Sequence, residues 1–185
     1  MSFFLRTSLG LGLAVTIAIA TPAFAEDWNR GDVAIYYAPQ HDLEAGDVAL
    51  IGRARETIDI AAYDMTSKPI ITALAEAAER GVRIRIYLDR SKMRGSQSVP
   101  NRNWFELAPL RKSGVEIKVK RRGALMHLNT YAIDGQILRT GSASFEPSDM
   151  KRYDSDMVII NSSSQAGEFT KHFDELWNRK GNSKF

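Results

Sequence analysis

The sequence contains no cysteine. That absence excludes disulfide staples, thiolate zinc sites, iron–sulfur clusters and cysteine nucleophiles. Histidine is scarce as well: His41, His127 and His172 are the whole supply, so any imidazole chemistry comes from one of three positions. No cluster of histidines and carboxylates stands at a spacing that demands a metal, so neither a metal nor another cofactor is expected. There is no internal repeat, no low-complexity tract and no linker composition. Beyond residue 25 no apolar run approaches the ~20 residues that a bilayer span needs.

What remains is a chain of 185 residues, the length of one domain. It carries 25 basic against 22 acidic side chains, for a formal charge of +3, and 44% of its residues are hydrophobic. Those proportions exclude a disordered chain and a fibrous one. Residues 1–25 read as a secretory leader: Arg6 near the start, an apolar stretch over 9–20, a break at Thr21-Pro22, then Ala23-Phe24-Ala25 before Glu26. The expected product is residues 26–185 as a single exported domain, periplasmic or secreted, with a core large enough to fold without covalent staples.

Along that domain strands and helices alternate. Strands are expected at 33–37, 58–63, 82–88, 115–119, 126–134, 136–140 and 157–160. Helices are expected at 43–57, 70–80, 104–112 and 168–177. The run over 82–88 is the clearest strand, with Val82, Ile84, Ile86 and Leu88 alternating against Arg83 and Arg85. Asp134-Gly135 between two strand candidates is a hairpin signal, and residues 89–103 read as a basic loop. This order predicts an α/β fold, a mixed β-sheet flanked by helices.

The informative stretch is residues 126–145. On an extended strand alternate side chains share a face, which puts His127, Asn129 and Tyr131 together. After the hairpin, Gly141-Ser142-Ala143-Ser144 supplies two hydroxyls on one face. One imidazole ringed by neutral donors suits an anionic oxygen such as a phosphate. Around it, Lys118, Lys120, Arg121 and Arg122 read equally well as a solvated strand end or as a basic rim that gathers polyanions. Lys92, Arg94 and Arg102 in the loop would extend that rim as a lip, and Trp104 reads as a core anchor. His41 and His172 read as surface residues.

The spacing His127-x-Asn129-x4-Asp134, six residues, then Gly141-Ser142-x-Ser144 resembles the phospholipase D superfamily pattern. That pattern is His-x-Lys-x4-Asp, six residues, Gly-Ser-x-Asn. The surrounding order is similar to the small, single-motif bacterial members often called endonucleases. The resemblance implies a phospholipase D-like single domain and a metal-free phosphodiesterase in which His127 forms a covalent phosphohistidine. It makes His127 and Asp134 the catalytic residues and Asn129, Ser142 and Ser144 the phosphate binders. Because one chain supplies one motif, it also implies a homodimer with His127 of both chains at the interface. The substrate class it implies is a nucleic acid or a phospholipid.

Two positions depart from the pattern. Asn129 stands where the family has Lys, and Ser144 where it has Asn. A charge-assisted hydrogen bond is roughly twice as strong as a neutral one, so the loss of the Lys weakens the hold on a phosphate. Arg139, Lys151 and Arg152 are nearby cations that a fold can bring in as substitutes, and the resemblance implies a group near Ser155 that steadies His127, where this chain has Asp154 and Asp156. The sequence therefore carries two expectations: an exported phosphodiesterase, or a non-catalytic descendant of the same fold that binds phosphate or polyanions.

Overall fold

A computed structural model describes residues 32–91 and 106–185. The leader, Lys92, Arg94, Arg102 and Trp104 lie outside the described residues. Eight strands form one sheet: β1 (Val33–Ala38), β2 (Thr57–Ala62), β3 (Arg83–Asp89), β4 (Glu116–Lys120), β5 (Asn129–Ile133), β6 (Ile137–Thr140), β7 (Ser155–Asn161) and β8 (Ser183–Lys184). Their spatial order is β1-β7-β6-β5-β2-β3-β4-β8. The β2–β3 and β3–β4 pairs are parallel and the others antiparallel, so the sheet is mixed, as expected. Among the described residues no helix is long and apolar enough to cross a membrane.

The helices are α1 (Leu43–Arg53), α2 (Lys68–Glu79), α3 (Ala108–Lys112), α4 (Pro147–Lys151) and α5 (Ser163–Trp177). Side-chain oxygens start the long ones: Asp42 caps α1 through the Ala45 N–H, Ser67 caps α2 through Ile70, and Ser162 caps α5 through Gln165. The Ser162 cap is why α5 begins five residues before the expected 168. α1 stops at Arg53 rather than 57, because Ala54 is already extended and Thr57 belongs to β2. Sequence reading missed α4 and β8, each too short to show a period.

Both faces of the central strands are covered. Ile58, Ile60, Tyr131 and Ile133 pack with α1 and α2 in the main core. Ala61, Tyr87 and Met126 pack on the other face with Phe173, Leu176 and Trp177 of α5. Arg85 ties α5 down, reaching Asp59 at 2.7 Å and Asp174 at 2.8 Å while its guanidinium lies over Phe173. Lys118 joins the same face, donating to the Trp177 carbonyl, so it is no part of a basic rim.

The register gathers six chain segments at one end of the sheet. β2, β3 and β4 leave there, at Ala62, Asp89 and Lys120. β5 enters beside Ala62 at Asn129, β6 leaves after Thr140, and β7 enters at Ser155. Ligands of open α/β sheets bind outside the carboxyl ends of the parallel strands, and every motif residue except Asp134 lies at that end.

Candidate active site

His127 was expected on a strand but lies just before one: β5 starts at Asn129. The ladder continues past the strand end, with the Tyr63 N–H donating to the Leu128 carbonyl at 2.8 Å. This holds the segment extended and leaves His127 exposed. Its ring packs on Tyr63, with centroids 4.4 Å apart and planes tilted by 44°. Tyr63 covers part of the imidazole, a role that nothing in the motif announced.

Asn129 follows with opposite character. It is only 5% exposed, and its Oδ1 is buried without a hydrogen-bond partner. A buried acceptor left unpaired costs about 1–3 kcal/mol. The amide therefore occupies the Lys position of the motif without satisfying itself there.

The two serines stand across from it. Gly141, at φ 138°, fits only as glycine, because a Cβ would run into the Asp156 carbonyl. That close approach lets Ser142 lock onto Asp156. The Ser142 hydroxyl donates to Asp156 Oδ1, its N–H donates to the same oxygen at 3.2 Å, and its Oγ accepts from the Asp156 N–H at 2.9 Å. Ser144 is buried and its hydroxyl donates to Asp149 of α4. Each hydroxyl proton is thus held by a carboxylate rather than offered to a phosphate. Asp156, one of the two residues considered for orienting His127, braces Ser142, and Asp154 is exposed.

Behind the serines sits a buried ion pair that sequence reading did not identify. Arg139 and Asp47 are both fully buried and meet through two 3.0 Å hydrogen bonds, from Nε to Oδ1 and from Nη2 to Oδ2. Tyr131 donates its hydroxyl to Asp47 at 2.8 Å. Burial pushes the Asp47 carboxyl up, and the Arg139 charge opposes that push. Nη1 of Arg139 donates to the carbonyls of Asn129 at 2.9 Å and of Ala143 at 3.0 Å. Arg139 therefore clamps the His127 segment to the serine segment. It does not replace the missing Lys, because its donors are spent inside the protein. Lys151 is committed too, paired with Glu44 and Asp42.

Asp134 is placed outside the site. It sits in the β5–β6 turn, at the opposite end of β5 from His127. Its carboxylate accepts the N–H groups of Arg55 at 3.0 Å and of Glu56 and Thr57 at 2.8 Å each. Its work is to hold the hairpin against the start of β2. Its φ of 52° and that of Gly135, 61°, are the left-handed pair that such a turn requires. His41 is exposed and bonded to the Tyr37 carbonyl, and His172 is half exposed beside Glu175 on α5.

Beside the His127 segment a cleft of about 370 Å³ opens between the exits of β3 and β4. Arg90, Lys120, Arg121 and Arg122 line it together with Asp89 and Leu125. Burial alone would raise the Asp89 carboxyl, but N–H donors from Met126 and Ser91, with Lys120 nearby, hold it below its ordinary value.

The chain matches a family described as cardiolipin synthase, PLD-like domain, over residues 48–177. It is 29% identical over 145 residues to a phospholipase D of Rickettsia conorii, which covers 78% of this chain and 69% of the relative. A mitochondrial cardiolipin hydrolase of Chlamydomonas reinhardtii is 24% identical over 127 residues, covering 69% of this chain and 54% of the relative. Among solved structures, the phospholipase D family member Nuc from Salmonella typhimurium superposes with a TM-score of 0.73 at 24% identity, covering 83% of this chain and 97% of that one. At that identity the likeness establishes the fold.

Proposed function

The chain belongs to the phospholipase D-like family, and on that premise we propose that it is an exported phosphodiesterase acting through His127. The observation that carries this reading is an exposed imidazole, packed on Tyr63, at the sheet end where the Gly141-Ser142 turn also lies. In the proposed reaction an imidazole nitrogen of His127 attacks phosphorus. The phosphorus–oxygen bond to the leaving alcohol breaks, and that oxygen takes a proton from a second imidazole. Water then attacks phosphorus, giving a proton to the second imidazole; the phosphorus–nitrogen bond breaks, which frees His127 and a phosphate monoester. The substrate is a phosphodiester of a nucleic acid or a phospholipid.

The second imidazole is the partner subunit's His127 in a homodimer. Supporting this, the edge strand β1 exposes Val33, Ile35 and Tyr37 at 56%, 49% and 54%, an apolar face over which no helix lies among the described residues. That face runs to Asp154 and Asp156, at the end of the sheet that holds the motif.

A second reading has its own support. Asn129 brings no charge, and Ser142 and Ser144 are engaged by carboxylates. These features favour a phosphate- or polyanion-binding descendant that does not turn over. The two readings separate in one assay of residues 26–185 on plasmid DNA, a simple phosphodiester and phosphatidylcholine, with EDTA present. The phosphodiesterase gives metal-independent turnover that vanishes in His127→Ala and rises about 10²-fold in Asn129→Lys, the usual worth of one transition-state donor. No turnover by the wild type, with turnover by Asn129→Lys, selects the binding descendant. Silence from both removes the enzyme for these substrates. Export is checked by fractionating the expressing cells and sequencing the product, which is expected to begin at Glu26.

A further inference from the structure

The cleft between the exits of β3 and β4 has a charge pattern that the motif does not explain. Four cations face one carboxylate there. That carboxylate is already occupied: Asp89 Oδ2 accepts the Met126 N–H at 2.8 Å, and Oδ1 accepts the Ser91 N–H and hydroxyl at 2.8 and 2.7 Å. Among the described residues Arg121 and Arg122 make no ion pair. Arg90 is fixed on the Arg121 carbonyl at 3.1 Å, which holds the mouth in one shape. Lys120 is only 7% exposed. Its charge acts on Asp89, whose carboxylate is shared with the Met126 and Ser91 donors, so an added anion would complete the compensation.

The position of the cleft gives it meaning. Leu125 is part of its lining and His127 is two residues further along an extended segment, a reach of about 7 Å at most. Neighbouring phosphates of a polynucleotide strand are one nucleotide apart, so a strand held at His127 carries its next phosphate toward the cleft. A phospholipid with one phosphodiester leaves the cleft unfilled; a cardiolipin carries two, on a short glycerol bridge, and is the lipid that the test must separate from a strand. Insertion into a membrane takes apolar side chains, and among the described residues Leu125 is the one exposed large hydrophobic residue in the lining.

We propose that this cleft seats the phosphate next to the one presented to His127, so that the ligand of the site is a nucleic acid strand. Arg121 and Arg122 are its exposed contacts, and Lys120 is the charge at its floor. The register to His127 rests on the phosphodiesterase reading; the binding of a strand in the cleft does not.

The test measures binding without turnover. A fluorescently labelled single-stranded oligodeoxynucleotide, a dinucleotide with one phosphate, and vesicles of phosphatidylcholine with cardiolipin are titrated against the protein in EDTA at several salt concentrations. The probes are repeated with the double variant Arg121→Gln/Arg122→Gln, whose folding is verified by its melting curve. The wild type is expected to prefer the oligonucleotide to the dinucleotide at least tenfold. The double variant is expected to lose that preference, with a slope of log affinity against log salt shallower by about 1.4, or about 0.7 per cation for single strands. An unchanged slope and affinity overturns the proposal, as does a loss confined to the vesicles. Wild-type turnover of a small single-phosphate diester is measured beside it. Turnover without cleft-dependent binding sinks the cleft and keeps the enzyme. Cleft-dependent binding without turnover keeps the strand site and sinks the phosphodiesterase.

Discussion

At the scale of single residues, the site is defined by polar groups whose partners are missing or already taken. Asn129 has an unpartnered oxygen, while Arg139, Ser142 and Ser144 have theirs filled by carboxylates. Removing one member of a buried pair leaves an uncompensated charge worth about 3–5 kcal/mol. Asp47→Ala is therefore expected to lower the melting temperature by roughly 10 °C, at about 2–4 °C per kcal/mol for a domain of this size. Replacing both partners with apolar residues is expected to restore most of the loss, and a thermal melt of the three variants checks it. Asp89 gives a pH test. Its carboxyl is held below its ordinary 3.8 in the fold, so its stabilisation is complete above that value and is lost as pH falls through the folded value. The melting-temperature gap between wild type and Asp89→Asn is expected to be constant near neutrality and to close in acid below pH 3.8. The motif made His127 and Asn129 legible in the sequence. It could not reveal Asp47 and Arg139, because they are 92 residues apart and meet only through the sheet.

At the scale of elements, the period of two in β3 and the Asp134-Gly135 turn made the strands legible, since local chemistry alone dictates them. Element ends were less so. A side-chain cap started α5 early, and α4 escaped because five residues carry no periodicity. The turn put Asp134 where it stands, while its catalytic role came only from the resemblance. Its spacing from His127 is a motif constant, yet along an extended strand that spacing puts the two at opposite ends. Asp134→Ala is expected to cost about 2 kcal/mol through three orphaned N–H donors, or roughly 4–8 °C in melting temperature. Turnover per folded molecule is expected to stay unchanged, measured on samples normalised by their native fraction. A fall in turnover with unchanged stability would return Asp134 to the catalytic set.

At the scale of the whole molecule, one end of the sheet gathers the motif residues other than Asp134 and one edge, β1, carries exposed apolar surface. If that edge joins two copies, light scattering gives a dimer, and Ile35→Lys with Tyr37→Lys gives a monomer that has lost turnover. Mixing wild type with His127→Ala before refolding is then expected to lower activity per wild-type chain, because mixed dimers lack one imidazole. The far end of the sheet offers something else. Gln136 lies exposed in the turn beyond Gly135, with the whole sheet between it and His127. Because the chain has no cysteine, Gln136→Cys creates a unique thiol. Coupled through that atom to a chip or a bead, every molecule is moored in the same orientation, with its reactive end pointing away from the support.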